Sequence, residues 1–448
     1  MPYNHSNQFR YTIIRGKAKN EIDNLLPLYA EIIKNNTPSP KKDFDAAFNE
    51  SLQRYFPAAT KKTLDNHRTE ISGKLFGMFW TNSLGITNIT ERTEKLLLDN
   101  DQPSFFKDIC AKIQFPSGMD QQYEDSINLN IKLLPCKFVL EIIKLAENNK
   151  IYLNKTEIGY YVLNNLDVMT AKANTIEVLT EINLARRNKI VRKIALDGHA
   201  SSWAMQHITE LINYLELANL VIEHDGLLFL NHKEDKSIEF ILTRTFDNAF
   251  NIYKYDLSKP ESRKEMLIDW TEFYGKLSTQ DPKILQTSLS ALITETSPQF
   301  TKGTDHELGQ EGEVYIFNLE KKRVSELFPL LLNKVLLLAS QRGIGYDIQS
   351  VFAEGSNPDR TMQIEVKSTK RVTQATNAFW DSVTMTRSEW VAAEQFTETF
   401  FIYRVYFTQS GPMVFVIQNP ASKQGVNLRS QPVQYRVEFN EKVGNFLN

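Results

Sequence analysis

An acid, followed further along the chain by a second acid two residues before a lysine, is a minimal set for holding a divalent cation against a phosphodiester. Here Asp347 closes Gly345-Tyr346-Asp347, and after a turn-rich stretch Glu365 and Lys367 lie within Ile364-Glu365-Val366-Lys367-Ser368-Thr369. Met362, Ile364 and Val366 alternate with Gln363, Glu365 and Lys367, which is the period of a β-strand. The alternation predicts a buried apolar face, with Glu365 and Lys367 projecting together from the other side. A lysine and a glutamate on one strand face, beside another carboxylate, suit a Mg²⁺ ion and an activated water. Taken alone, Glu-x-Lys on a strand is most often a surface ion pair worth under ~1 kcal/mol. Asp347 is what tips the reading toward chemistry.

The elements that would carry these residues belong to a long chain. At 448 residues it exceeds one ordinary core, so two or three domains are expected. A net charge of −2 argues against binding nucleic acid by bulk charge, but leaves room for a nuclease with a local basic face. No apolar run is long enough to span a bilayer, and Met1-Pro2-Tyr3-Asn4-His5 lacks the pattern of a secretion signal. Cys110 and Cys136 have no metal-ligand spacing, so no disulfide framework is expected and the cytoplasm is the expected compartment. No G-x-x-x-x-G-K-[ST] loop occurs, so no ATP site is expected.

Residues 1–130 read as a mainly helical domain that recognises DNA. Thr63-Leu64-Asp65-Asn66-His67-Arg68-Thr69-Glu70-Ile71 opens a helix expected to reach about Trp80. Asn66, His67 and Arg68 would read base edges while Leu75, Phe76, Met78 and Phe79 anchor it. A solvated start of an ordinary bundle helix is the competing reading. Residues 131–248 suggest a winged-helix-like unit. An amphipathic helix spans Phe138 to Leu145, Asn154 and Glu157 can cap the next, and a third runs from Ser201 to Ala218. Asp225-Gly226 between Leu220–His224 and Leu227–Leu230 is a hairpin signal. Such folds bind DNA, bind proteins or serve as structure. Arg186, Arg187, Lys189 and Arg192, with Lys193, offer a phosphate-contacting edge, although such a cluster alone is usually a solvated face. His224 and His232 read as surface residues, not zinc ligands. Residues 249–304 read as a helical linker, with helical patterns over Met266–Tyr274 and Leu285–Ile293.

From 305 to 448 the order is helix, strand, strand, helix, strand, strand. Gly309-Gln310-Glu311-Gly312-Glu313 enters the first helix, Thr386-Arg387-Ser388-Glu389 is a capping box, and Phe400–Tyr406 and Pro412–Ile417 are the last strands. Together, G-x-x-G-E, G-Y-D-I-x-S, I-E-V-K-S-T, T-x-x-E and Y-R-V-Y resemble the nuclease-like domain at the C-terminus of plant NO VEIN proteins, of the PD-(D/E)XK, or restriction-endonuclease-like, superfamily. The resemblance covers roughly residues 305–425 and implies an α/β (α+β) core with a mixed central sheet. One departure is Gly345-Tyr346 where the superfamily's proline would precede the aspartate. It further implies that Asp347, Glu365 and the carbonyl of Val366 bind Mg²⁺, with Mn²⁺ able to substitute. Lys367 would orient or deprotonate the attacking water, a role that requires partial desolvation near the metal to bring its pKa toward a working range, and Glu313 would supply an additional acid. Tyr403 reads as sheet support, Arg404 as a candidate DNA contact, and Glu389 as a cap more than a ligand. The expected function is a Mg²⁺-dependent restriction endonuclease acting on double-stranded DNA. One such centre cuts one strand, so a homodimer or two sequential events would be needed. The alternatives are a non-catalytic scaffold with a nuclease-like fold and a nuclease acting on RNA or repair intermediates.

Overall fold

The computed structural model describes residues 7–118, 123–192, 194, 201–293, 308–339, 343–376, 380–425, 427–430 and 435–447. The chain divides into two compact units. One comprises Met1–Ile22, Tyr29–Leu98 and Gln102–Thr287, the other Asp23–Leu28, Asp99–Asp101 and Ser288–Asn448. Among the described residues no helix is long and apolar enough to cross a membrane.

The first unit repeats one arrangement. After α1 (Lys19–Asn35) come β1 (Ser39–Pro40), α2 (Lys41–Gln53) and α3 (Lys61–Asn66), which passes into a π-helical segment, His67–Leu75. Strands β2 (Phe79–Thr81) and β3 (Ile86–Ile89) then close a three-stranded sheet of order β1-β3-β2. The sequence predicts one helix to about Trp80 in a mainly helical stretch. Instead the helix widens at His67, ends at Leu75, and Phe79–Thr81 pairs as a strand. Phe44, Phe48 and Leu52, four residues apart on α2, form its buried stripe.

Next come α4 (Glu91–Asp99) and α5 (Gln102–Lys112), all of whose residues are buried. The second arrangement runs α6 (Pro135–Asn148), β4 (Leu153–Asn154), α7 (Lys155–Glu157) passing into the π-helical Ile158–Leu163, α8 (Thr175–Arg187) and α9 (Ser201–Leu217). It ends in the hairpin β5 (Val221–His224) and β6 (Leu227–Leu230), with sheet order β4-β6-β5. Asp225 and Gly226 have φ of 51° and 76°, as the two-residue turn requires. The Asn154–Glu157 capping box is formed. α10 (Pro260–Gly275) returns to the core through Met266, Trp270 and Tyr274. The apolar run Leu285–Ile293 forms two short turns, Pro282–Leu285 and Leu289–Leu292, not one helix.

Two buried cations in this unit are paired with acids. Arg92 Nε meets Asp108 Oδ2 at 2.6 Å, while its other nitrogens donate to the carbonyls of Phe76 and Tyr274 at 2.8 and 2.5 Å. Lys107 Nζ lies 2.7 Å from Glu234 Oε2 and donates to Thr287 Oγ1 at 2.8 Å.

The second unit is built on a six-stranded mixed sheet of order β15-β12-β11-β9-β8-β7. Its helix α11 (Leu308–Leu327) precedes β7 (Leu336–Leu337), β8 (Ile348–Val351) and β9 (Thr361–Lys370). Then follow β10 (Asp381–Met385), α12 (Arg387–Phe396), β11 (Phe400–Thr408), β12 (Gly411–Gln418), β13 (Leu428–Arg429), β14 (Tyr435–Phe439) and β15 (Asn445–Phe446). β9 and β11 are parallel, because the chain between them carries β10 and α12; the other pairs of this sheet are antiparallel. β11 is buried along its whole length. One face of the sheet packs Ile364, Val366, Tyr403 and Val405 with Ile316 of α11. The other packs Ile402, Tyr406 and Ile417 with Trp390 and Ala393 of α12. β10, β13 and β14 form a separate small sheet.

Candidate active site

Backbone geometry brings the two acids together. Asp347 lies just before β8; its N–H donates to Ile364 O at 3.0 Å, and Val366 N–H donates to Asp347 Oδ2 at 2.8 Å. In an extended strand the N–H and C=O of one residue leave on the same edge, so the Val366 carbonyl also faces Asp347. Gly345 sets up this approach. Its φ is +84°, and a Cβ there would lie 2.6 Å from Ser388 O and 2.9 Å from Ala392 Cβ in α12. Gly312 does the same for α11, where a Cβ would fall 1.7 Å from Ser368 Oγ. The helix therefore lies directly on β9, with Glu313 beside the acids.

Glu365 and Lys367 do share a strand face, but that face is covered. Glu365 is 2% exposed, and the same side of the sheet carries Ile402, opposite Glu365 in register. Lys367 Nζ sits 2.6 Å from Glu365 Oε1 and 3.0 Å from Glu389 Oε2. Glu389 also closes the capping box of α12, accepting Thr386 N–H at 2.9 Å. A capping box is visible in sequence; its carboxylate's reach to a lysine on β9 is not.

The electrostatics follow from burial. Glu365 is held well above the ordinary carboxylate range, first by burial and then by the charges of Asp347 and Glu389, with Lys367 opposing. Asp347 is raised by burial and by Glu389, against the Val366 N–H, Lys367 and a hydrogen bond with Glu365. Burial and the charge of Asp347 push Glu313 up to about 7. For Lys367, burial lowers the pKa, but Glu365 and Glu389 outweigh it and hold the ammonium above its usual range. Without a metal ion, the carboxylates therefore win over desolvation, opposite to the direction expected beside the metal, and Lys367 is cationic.

These residues suit a hard cation. All ligating atoms are oxygens, and Mg²⁺ commonly takes only one or two protein carboxylates and keeps several waters. Asp347 and Glu365 are in hydrogen-bonding contact although burial disfavours either charge, an arrangement that a cation between them relieves. Among the described residues no group of three or more His, Cys, Asp or Glu side chains is spaced to hold a metal, so the fit is that of two carboxylates with the Val366 carbonyl.

Other sequence candidates fall elsewhere. Arg404 is 4% exposed, pairs with Asp381 (Nε to Oδ2, 2.7 Å) and donates to Lys367 O at 3.3 Å. It braces β9 from within and is not a surface contact for DNA. Tyr403 is buried and donates to Glu320 at 3.2 Å. In the first unit only Asn66 of the expected reading trio is exposed. His67 is buried against the hydroxyl of Tyr29, and burial lowers its pKa to about 4. Arg68 is buried between Asp45 (3.1 Å), Asp65 (2.8 Å) and Asn49 (2.5 Å). Asp45 and Asn49 on α2 and Asp65 on α3 turn it inward, so it is a hub of this unit and no base reader. Arg186 is bidentate to Glu157, at 2.7 and 2.6 Å. Arg187 and Lys189 are exposed, Arg192 stacks over Tyr160 at 5.8 Å, and Lys193 lies outside the described residues. The side chains of His224 and His232 are largely exposed.

Comparisons with known proteins agree with this division. The family model described as "Protein NO VEIN, C-terminal" matches residues 312–417. The chain is 45% identical to a solved structure titled "Crystal structure of pyrene- and phenanthrene-modified DNA in complex with the BpuJ1 endonuclease binding domain". That match covers 61% of this chain and 99% of the other, with a TM-score of 0.58. No curated protein matches. The family model described as "Restriction endonuclease BpuJI - N terminal" matches residues 3–271, more than half of the sequence, and the chain belongs to that family.

Proposed function

We propose that this protein is a Mg²⁺-dependent restriction endonuclease of the PD-(D/E)XK type. Its first unit binds double-stranded DNA, and its second hydrolyses the phosphodiester. The observation that carries this is that Asp347 is held on the Val366 N–H, next to Glu365, whose carboxylate meets Lys367 at 2.6 Å, within a chain of a restriction-endonuclease family. The DNA named for the solved binding domain is the ligand class proposed for residues 3–271. Both three-stranded arrangements there are read as winged helices, since in each the first strand pairs with the third. Arg187 and Lys189 would contact phosphates, and Asn66 would lie at the base-reading end of α3.

In the site, Asp347, Glu365 and the Val366 carbonyl would hold the cation, Mg²⁺ or Mn²⁺. When bound, the ion supplies an acidified water and charge neutralisation at phosphorus. Lys367, kept cationic by its two carboxylates, would orient an attacking water and offset charge on the phosphate. Glu313, with a pKa near 7, can accept a proton at working pH. Two copies of the chain, or two successive events, would complete a double-strand cut.

The test is incubation with plasmid DNA and Mg²⁺, with EDTA as control. Cleavage should require the metal and vanish in Glu365→Ala and Lys367→Ala, which should still bind DNA. Metal-dependent cleavage retained in the double variant, or no cleavage by the wild type across a sequenced plasmid set, would overturn the assignment.

A further inference from the structure

Lys367 has a flexible side chain, and among the described residues its one long-range ion pair is to Glu389, 22 residues away. Its other partner, Glu365, is the acid proposed to hold the metal, so that contact is shared once an ion is bound. Glu389 differs. Its Oε2 accepts both Thr386 N–H at 2.9 Å and Lys367 Nζ at 3.0 Å, so it is fixed by the helix cap before any ligand arrives. The same turn of α12 receives Gly345, whose missing Cβ would lie 2.6 Å from Ser388 O. One helical turn thereby sets the loop carrying Asp347 and the amine of Lys367 together.

We propose that Glu389 is a positioning residue that tethers the Lys367 amine to the first turn of α12, keeping it in place when Glu365 is engaged elsewhere. The proposal rests on the nuclease reading for its consequence, and on the two hydrogen bonds for its geometry. A tether lost near a reacting phosphate misplaces the amine by an ångström or more, a displacement worth up to ~100-fold in rate.

Two variants separate tethering from capping. Glu389→Gln keeps an oxygen for the Thr386 N–H but loses the charge on Lys367. Thr386→Ala loses half of the cap and leaves the carboxylate on Lys367. Glu389→Gln should lower kcat by about 10-fold or more with KM and melting temperature unchanged. In metal-free protein it should also raise acylation of Lys367, read by mass spectrometry. Thr386→Ala should lower the melting temperature and leave kcat and Lys367 acylation as they were. Equal losses of kcat in both variants would overturn the proposal, as would a Glu389→Gln protein that cleaves and labels like the wild type. If the wild type fails to cut DNA while Glu389→Gln raises acylation, the nuclease reading falls and the tether stands.

Discussion

Glu313→Gln should make the metal-free protein more stable at about pH 8, because the native site holds this carboxyl near 7 against an ordinary 4.5. The sign follows from proton uptake. Between those two values the folded state binds a proton that the unfolded state has released, so stability falls as pH rises through that window. Above about 7 the wild type bears the full penalty and glutamine bears none. A wholly buried group shifted this far would correspond to about 3 kcal/mol; partial exposure of Glu313 reduces that to on the order of 1–2 kcal/mol. Hydrogen exchange of β9 amides in EDTA reads the effect in the second unit alone, which matters because a two-unit chain need not unfold in one step. The variant should gain protection at about pH 8, and the gain should shrink toward pH 4.5, where the wild-type carboxyl is protonated in the folded state. Equal protection at both pH values, or a less protected variant at the higher one, would refute the claim that this helix carries a strained acid.

Gly312→Ala should cost roughly 2–3 kcal/mol, since its Cβ would overlap Ser368 Oγ at 1.7 Å and push α11 off β9; urea unfolding measures it. Asp108→Ala should destabilise the first unit by about 3–5 kcal/mol by leaving Arg92 buried and unpaired, seen as a lowered melting temperature. Arg187→Ala should weaken DNA binding for every sequence and flatten its salt dependence, measured by titration at several ionic strengths. Arg68→Ala should instead lower thermal stability, because its three partners are Asp45, Asp65 and Asn49 within the unit.

What could be read from sequence was local. The Asp225-Gly226 turn, the Asn154 and Thr386 caps and the alternation over Met362–Lys367 each depend on residues within a few positions of one another. What could not be read depends on partners far along the chain. Ser39 pairs with Thr87 in a sheet of two- to four-residue strands, too short to carry an alternation signal. Arg68 and Arg404 look like surface cations until Asp45 and Asp381 are placed beside them. The direction of the Lys367 shift escaped for a related reason: Glu365, two residues away, raises it most, and Glu389, 22 residues on, adds to that, and neither contact is visible in sequence.

Two arrangements of buried charge among the described residues contrast in a way that bears on function. Arg92 with Asp108, Lys107 with Glu234, and Arg404 with Asp381 are one-to-one pairs whose remaining donors reach carbonyls or hydroxyls. Such closed pairs specify packing and leave little surplus charge. Around Lys367 the balance differs: Glu313, Asp347, Glu365 and Glu389 influence one another with a single lysine among them, and three of the four are held above the ordinary carboxylate range. Replacing one of the three raised acids with an amide would relieve that cost in the metal-free protein, as expected for Glu313→Gln. Such an arrangement, unfavourable in isolation, is the kind that the proposed divalent cation would relieve.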